Sequence, residues 1–321
     1  MARVRELLKD KNFFLLWIAQ IVSNFGDRLD QMALIGLIYL RTPGSTIELA
    51  KLLSFTILPV FIIGPIAGIY VDRWNRKATM ITCDLIRGGL VLLLPLIIKY
   101  STSMVPIYIV VFIIFSVTRF FLPSKLSIIP DIVHKDKLLL ANSLSSTTMM
   151  IATIVSFGFS GLIVAAFGPQ AGFYIDSVSY FISAAMVFFV VVKLKENIVS
   201  QKAGVKLADI AKKTVIGDIK EGLAYLKGHK DVRMVSSTMF LLMAGAGSTY
   251  IVIIVFIQEA LRSSTEHLGL LVMFLGIGLF LGSVLYGRFG SRFSKRKVIN
   301  FGLLTAGLII IIFAVCLKFI P

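Results

Sequence analysis

The chain has 321 residues, of which 57% are hydrophobic and only 16% are charged, and its formal net charge is +16. About a quarter of the residues of a soluble globular domain are charged. This composition therefore excludes an ordinary soluble protein and indicates one that lies in lipid. The excess of Lys and Arg would also suit a nucleic-acid-binding protein. These residues, however, stand between apolar runs of about 20 residues, as in the loops of membrane proteins, so no nucleic-acid partner is expected.

Apolar segments long enough to cross a bilayer recur along the whole chain. A hydrocarbon core about 30 Å thick needs about 20 apolar residues per helix. Nine segments meet this requirement, at 13–40, 49–71, 78–99, 104–122, 143–167, 171–193, 233–258, 267–287 and 298–320. The sequence therefore predicts an all-α membrane protein, a polytopic helical bundle with about nine transmembrane helices.

One long polar stretch, 194–232, divides these helices into two groups. We interpret residues 1–193 as an N-terminal six-helix bundle, 194–232 as a cytoplasmic linker and 233–321 as an incomplete C-terminal bundle of three helices. Apolar residues recur at helical spacing inside the linker, at Ile216, Ile219, Leu223 and Leu226. The linker is therefore either an amphipathic helix on the membrane surface or a solvated connection.

The distribution of Lys and Arg predicts the orientation of the chain. The N-terminal segment, the linker and the loops after the second, fourth and eighth predicted helices carry about 25 of these residues, and the opposite side carries about five. Lys and Arg accumulate in cytoplasmic loops. We therefore expect a multi-pass protein of the cell membrane with a cytoplasmic N-terminus.

The loop after the second predicted helix reads GIYVDRWNRK, from Gly68 to Lys77. Gly68 would allow this helix to approach a neighbour closely, and Asp72, Arg73, Arg76 and Lys77 form a charged hinge at the membrane edge. The pattern G-x-x-x-D-R-x-x-R-K resembles the loop signature of the major facilitator superfamily.

Three longer stretches are similar to the macrolide-efflux and enterobactin-exporter branch of that superfamily, and the resemblance covers essentially the whole chain. They are LPVFIIGPIAGIYVDRWNRKATMITCDLIRG (58–88), PDIVHKDKLLLAN (130–142) and GFYIDSVSYFISA (172–184). In this branch Asp176 resembles an Asp kept at the start of helix 6, where we expect it to cap the helix or to anchor it at the interface.

A second copy of the loop pattern follows the eighth predicted helix. Its residues are Gly287, Ser291, Arg292, Lys295 and Arg296, with Ser291 in place of the Asp. A copy about 220 residues further on indicates two homologous halves. The resemblance implies twelve helices, and the loop Asp would act against an eleventh helix that this chain does not include. We expect the chain to be a fragment. The alternatives are completion by another chain and a non-functional product.

The first predicted helix has one polar face. At 100° per residue, Gln20, Asn24, Asp27 and Gln31 fall within about 40° of one another, and Ser23, Arg28 and Asp30 flank them. A charge at the centre of a membrane helix costs about 2.5–3.5 kcal/mol, so this face is predicted to line a water-filled cavity. Asp27 and Asp30 either carry protons or bind a cationic group, or they order the helix together with Arg28.

Three further charged residues lie inside predicted helices. The superfamily often has an Arg in helix 4 that is tied to proton movement, which implies this role for Arg119, although the glycine pattern that usually follows is missing. The alternatives for Arg119 are a counter-ion for Asp27 or Asp30 and an interfacial Arg. Asp84 and Arg87 are three residues apart and can pair on one face. They are expected either in the cytoplasmic gate with Asp72 and Arg76 or as a plain salt bridge.

The predicted function is secondary active transport by alternating access. The resemblance implies a proton-driven antiporter that exports hydrophobic or amphipathic compounds of antibiotic or siderophore type, and hence drug resistance. The alternatives are a lipid or lysophospholipid flippase and a non-functional truncated permease. An enzyme is not expected, because no paired base and nucleophile occur at one depth. No metal or other cofactor is expected. The partners would be protons, a small-molecule substrate and the bilayer, and the chain would be monomeric.

Overall fold

A computed structural model of the chain describes residues 2–71, 74–192, 217, 220–222, 224–260, 265–289 and 294–318. The helices are α1 (Ala2–Leu8), α2 (Lys11–Arg41), α3 (Thr46–Ile62), α4 (Gly64–Val71), α5 (Arg76–Tyr100), α6 (Val105–Ile132), α7 (Leu138–Phe188), α8 (Lys230–Ala260), α9 (Glu266–Phe289) and α10 (Lys295–Lys318). The chain divides after Val272 into two compact units. The first unit contains α1 to α8 and the start of α9, and the second contains the rest of α9 and α10.

Five of the described helical segments are long and apolar enough to cross a membrane. They are Arg76–Tyr100, Val105–Ile132, Lys135–Phe188, Val232–Glu259 and Glu266–Phe289. The described residues form helices and their connections without a strand, which agrees with an all-α membrane protein. The count of nine spans stays a prediction. Most of the proposed linker, including three of its four apolar positions, lies outside the described residues.

Helix α7 is a hairpin of two arms that both lie against α2. Gly168 interrupts the helix with φ +80° and ψ 166°, a conformation that glycine adopts without steric cost. Before this turn, the Thr153 hydroxyl donates to Asn24 Oδ1 at 3.1 Å. After it, the Tyr180 hydroxyl donates to Asp27 Oδ1 at 2.6 Å. Because Asn24 and Asp27 share one turn of α2, the chain must fold back at Gly168.

Two glycine contacts bring helices of the first unit unusually close together. A Cβ on Gly26 would overlap the side chains of Ser179 and Asp176, so α2 and the second arm of α7 touch there without an intervening side chain. A Cβ on Gly161 would stand 2.8 Å from Cα of Gly269 at the start of α9. Small residues permit such close packing of membrane helices.

The ends of α2 are fixed by side chains. Asp10 caps its start by accepting the backbone N–H groups of Asn12 and Phe13 at 2.9 and 3.2 Å. At its other end, Arg41 donates to the backbone oxygens of Ile98 and Ser101 at 2.6 and 2.8 Å. These carbonyls at the end of α5 have no partner inside the helix, so Arg41 ties the end of α5 to α2.

Two predicted helix boundaries were wrong. The second predicted span, 49–71, is two helices, α3 and α4, which are separated at Ile63. Helix α4 starts at Gly64 and has Pro65 in its first turn, where proline is tolerated. The fourth was expected to end at 122, but α6 continues to Ile132. Proline inside a membrane helix need not end it, since neighbouring groups satisfy the freed backbone.

The predicted close approach at Gly68 is not found among the described residues. A Cβ at this position would meet nothing within 4 Å. Helix α4 packs on α3 and α6, and Gly68 lies away from these contacts. The expectation came from the general use of glycine at helix crossings.

We predict that Gly26→Ala lowers the thermal stability of the protein in detergent. The added methyl group must push α2 away from α7, and overpacking of this kind costs about 1–3 kcal/mol. The matched control is Gly89→Ala in α5, where a Cβ meets no other atom within 4 Å. That change should leave the melting temperature equal or higher, because Ala favours helix over Gly by about 0.5–1 kcal/mol. Equal melting of both variants would contradict the close contact.

Candidate transport cavity

A cavity of about 350 Å³ lies between α2, α3, α5, α6 and α7 in the first unit. The predicted polar face of α2 forms one wall of it. All seven residues of that face line the cavity: Gln20, Ser23, Asn24, Asp27, Arg28, Asp30 and Gln31. The opposite side of α2 packs inside the bundle, where Leu29 is fully buried. Helical periodicity thus identified the wall of a cavity.

On this wall, Arg28 does not pair with a carboxylate among the described residues. Its Nη1 donates to Gln31 Oε1 at 3.0 Å, and its guanidinium lies 5.2 Å from the centre of the Phe157 ring. The negative charge of Asp27 is met instead by the Tyr180 hydroxyl at 2.6 Å. Asp30 is 5% exposed and makes no hydrogen bond to a described residue through its buried Oδ1.

A buried ion pair supports the second wall. Arg87 on α5 lines the cavity and pairs with Asp84 one turn earlier on the same helix. The other oxygen of Asp84 accepts the Ser183 hydroxyl at 2.8 Å. The Arg87 guanidinium lies between the rings of Phe121 and Tyr180, 4.3 Å from each centre. The pair, expected from its i, i+3 spacing, is thus held by hydrogen bonding and by two cation–π contacts.

Tyr180 was missed by the sequence analysis, although it connects both walls. Its hydroxyl holds Asp27, and its ring covers Arg87. A tyrosine in an apolar run gives no sequence signal of this kind, because the contacts depend on how the α7 hairpin folds back onto α2 and α5.

The third wall is basic and comes from α6. Arg119 lines the cavity and donates through Nε to the Phe115 carbonyl of its own helix at 3.3 Å. Lys125, which we expected in a loop, also lines the cavity. The expectation was wrong because α6 continues past Pro123, which carries Lys125 into the bundle.

Asp176 was expected as a helix cap or an interfacial anchor, and this expectation was wrong. The residue lies two turns into the second arm of α7 and is completely buried. The Ser179 hydroxyl donates to the Asp176 backbone carbonyl at 2.8 Å and lies 3.2 Å from Asp176 Oδ1, and Asp176 Oδ2 has no hydrogen-bond partner among the described residues. The reason is the short turn at Gly168, which leaves no separate cap and takes Asp176 to Gly26 of α2.

The described residues of the loop motif lie at one end of the bundle. Arg76 begins α5 and donates to Asp131 Oδ2 at 2.6 Å and to the Ser127 carbonyl at 2.8 Å, both on α6. Lys77 lies 5.4 Å from the centre of the Phe188 ring. Asp72 and Arg73 lie outside the described residues. Arg87 is eleven residues further along α5 than Arg76, which is about 16 Å at 1.5 Å per residue.

Little of the second copy of the motif is described. Gly287 lies in α9 with open space around its Cα. Lys295 and Arg296 begin α10, and Arg292 lies outside the described residues. The functional role predicted for either copy stays a prediction.

Outside the bundle, a short turn at Lys135–Lys137 links α6 to α7. Lys137 donates to Glu6 of α1 at 2.6 Å, and this hydrogen bond raises the pKa of Lys137. His134 Nδ1 lies 2.5 Å from Asp136 Oδ1, and the hydrogen bond lowers the pKa of Asp136. The Asp136 carboxylate is exposed and lies away from the cavity.

No group of three or more His, Cys, Asp or Glu residues that could hold a metal ion occurs in the part of the chain that the structure describes. The cavity presents carboxylates, guanidinium groups, an ammonium group and hydroxyls. These groups bind protons, charged molecules and hydrogen-bonding molecules.

A polar cavity inside an all-helical membrane bundle, together with the loop motif, indicates a major facilitator superfamily protein. The profile of the family described as transmembrane secretion effector matches residues 6–320. The chain belongs to this family and is a member of the macrolide-efflux branch of the superfamily.

Several bacterial relatives agree with this assignment. The MFS-type transporter YfiS of Bacillus subtilis is 28% identical over 68% of this chain, and the MFS-type transporter YkuC of the same organism is 23% identical over 96%. Macrolide efflux protein A of Streptococcus pyogenes is 25% identical over 88%. The matches span 49%, 71% and 68% of the lengths of these relatives, so the chain corresponds to about half to seven tenths of them.

We predict that Arg87→Gln destabilises the protein by about 3–5 kcal/mol, because it leaves the buried Asp84 carboxylate without its partner. The double variant Asp84→Asn/Arg87→Gln should recover part of this loss. The free energies of unfolding of the two single variants and the double variant are measured in detergent by tryptophan fluorescence. If the losses of the two single variants simply add in the double variant, the pair is not energetically coupled.

Proposed function

We propose that this protein is a secondary active transporter that exports hydrophobic or amphipathic compounds in exchange for protons. The observation that supports it most directly is the polar face of α2, which lines a cavity instead of facing lipid. Charged residues in membrane helices are costly and mark ion or substrate pathways. Secondary transporters hold their substrate and coupling ion in such a cavity between helices.

The lining of the cavity suits an amphipathic cargo. Its charged walls continue into an apolar surface formed by Leu34, Ile35, Leu52, Leu53, Ile114 and Phe115. A molecule with one polar and one apolar part can use both surfaces. The name of the relative macrolide efflux protein A supports an antibiotic-type cargo, and a siderophore-type cargo follows from the resemblance stated above.

The proposed arrangement is that of alternating access. Residues 1–193 would form one bundle, 194–232 a cytoplasmic linker and 233–321 part of the second, with nine spans in the chain and a cytoplasmic N-terminus in the cell membrane. The bundles would rock around the cavity, and the protein would act as a monomer. The excess of basic residues on one side supports the orientation.

In this arrangement the loop motif belongs to the cytoplasmic gate. The ion pair of Arg76 with Asp131 joins α5 to α6 at the end of the bundle where the basic loops lie. Asp84 and Arg87 lie deeper and line or support the cavity. We therefore assign Gly68, Asp72, Arg73, Arg76 and Lys77 to the gate. Asp84 and Arg87 would connect the gate to the cavity through α5.

The proton gradient supplies enough energy for this task. One proton that moves down a potential of 100 mV releases about 2.3 kcal/mol, which can drive a cargo about fiftyfold uphill at 1.4 kcal/mol per factor of ten. A pH gradient adds to this value.

We predict that Asp27→Asn lowers the active efflux of a cationic fluorescent dye at least tenfold. The dye ethidium is loaded into cells or proteoliposomes that contain either the unchanged protein or the variant. Asp27 faces the cavity, so its loss removes either the coupling charge or a cargo contact. The control Asp136→Asn removes an exposed carboxylate outside the cavity and should leave efflux unchanged.

Two results would count against the proposed function. Efflux that does not respond to a pH gradient would contradict proton coupling. Absence of dye transport by every protein tested, together with transfer of a fluorescent lysophospholipid between leaflets, would favour a flippase.

A further inference from the structure

Three carboxylates of the cavity region lie close enough to repel one another. Asp27 and Asp30 are neighbours on α2 and interact electrostatically. Asp176 from α7 interacts with both, because Gly26 allows its side chain to lie directly against α2. The folded hairpin thus brings Asp176, which the sequence predicted at a helix end, close to Asp27 and Asp30, which it predicted in a cavity.

These carboxylates differ in how they are held. Asp27 accepts a hydrogen bond from the Tyr180 hydroxyl at 2.6 Å. Asp30 is 95% buried, borders the cavity and has no hydrogen-bond donor for its buried Oδ1 among the described residues. Asp176 is fully buried and has only Ser179 on one oxygen, while its Oδ2 has no described partner.

The surrounding bases form no direct ion pair with these carboxylates, although Arg87 attracts Asp27 and Asp176 from a greater distance, and Lys125 attracts Asp27. Arg87 on α5 is bound to Asp84, and Arg28 on α2 donates to Gln31. On α6, Arg119 donates to its own helix, and Lys125 lines the cavity without a hydrogen bond to a described residue. No ion pair in the described ranges includes Asp27, Asp30 or Asp176.

Two neighbouring buried carboxylates without a paired base cannot both stay charged at low cost. Binding of one proton to either of them removes one charge and leaves the other carboxyl as an acceptor. We propose that Asp30 and Asp176 together form the proton-binding site, and that Asp27, held by Tyr180, is the carboxylate that contacts a cationic amphipathic cargo. This inference rests on the proposed function and names the groups that perform it.

The arrangement explains how cargo and protons would exclude each other. A cation bound at Asp27 lies near the pair and favours its charged form, so it lowers the affinity of the pair for a proton. By linkage, a proton on the pair lowers the affinity for the cation by the same factor. This mutual exclusion is the condition for exchange in opposite directions.

The first test needs no cargo. Infrared spectroscopy of the purified protein in H₂O and D₂O detects protonated buried carboxyl groups by their C=O stretching band. Wild-type protein should show this band near neutral pH and lose it as the pH rises. The band should be absent or clearly reduced in Asp30→Asn and in Asp176→Asn, and unchanged in Asp136→Asn. A wild-type protein without the band, or variants that both retain it, would overturn the inference, whether or not any dye is transported.

The second test separates the two roles in proteoliposomes that contain ethidium. Asp30→Asn and Asp176→Asn should lose pH-driven dye accumulation at least tenfold but keep dye exchange in the absence of a gradient. Asp27→Asn should instead weaken dye binding about tenfold, a change of about 1.4 kcal/mol, and keep the infrared band. Full pH-driven transport by Asp176→Asn would overturn the assignment of the pair. A wild-type protein that shows the band but moves no dye would refute the proposed export function and leave the proton site supported.

Discussion

The cost of charge inside a membrane-embedded bundle is the constraint on which this structure depends. Each ionised side chain away from water must find a partner, a hydrogen-bond donor or a proton. Arg87 meets this requirement with Asp84 and two aromatic rings, and Asp27 meets it with the Tyr180 hydroxyl. Asp30 and Asp176 have no comparable partner in the described part of the chain. These carboxylates therefore differ in the partners that can stabilise a negative charge on them.

The α7 hairpin supplies hydrogen-bond donors to two of these carboxylates, Asp27 and Asp84. Its turn at Gly168 folds both arms against α2, so that Tyr180 contacts Asp27 of α2 and Arg87 of α5, and Ser183 donates to Asp84 of α5. Because the helices touch at glycines, small shifts of one arm cannot be absorbed by flexible side chains, since packed interiors deform little.

Sequence reasoning succeeded where one helix carries the information and failed where several helices must combine. The cavity wall of α2 follows from the 100° rotation per residue, and Asp84 with Arg87 follows from i, i+3 spacing. Tyr180 and Asp176 could not be assigned, because their partners lie about 150 residues away in sequence. Lys125 was wrongly predicted to lie in a loop, because Pro123 was taken as the end of the helix. In membrane helices, neighbouring groups can satisfy the backbone that proline frees, so the helix can continue.

Among the described residues, the charged groups that line the cavity belong to residues 20–180, before the predicted linker. One bundle therefore contains both the carboxylates that we propose to bind the proton and the one that we propose to contact the cargo. In alternating access the coupling rule is set by which groups compete within the site, whereas the motion of the bundles decides to which side the site opens. On this view the second half of the molecule is needed to move and seal the cavity. The proposed exclusion between cation and proton needs only the electrostatics of carboxylates in the first half.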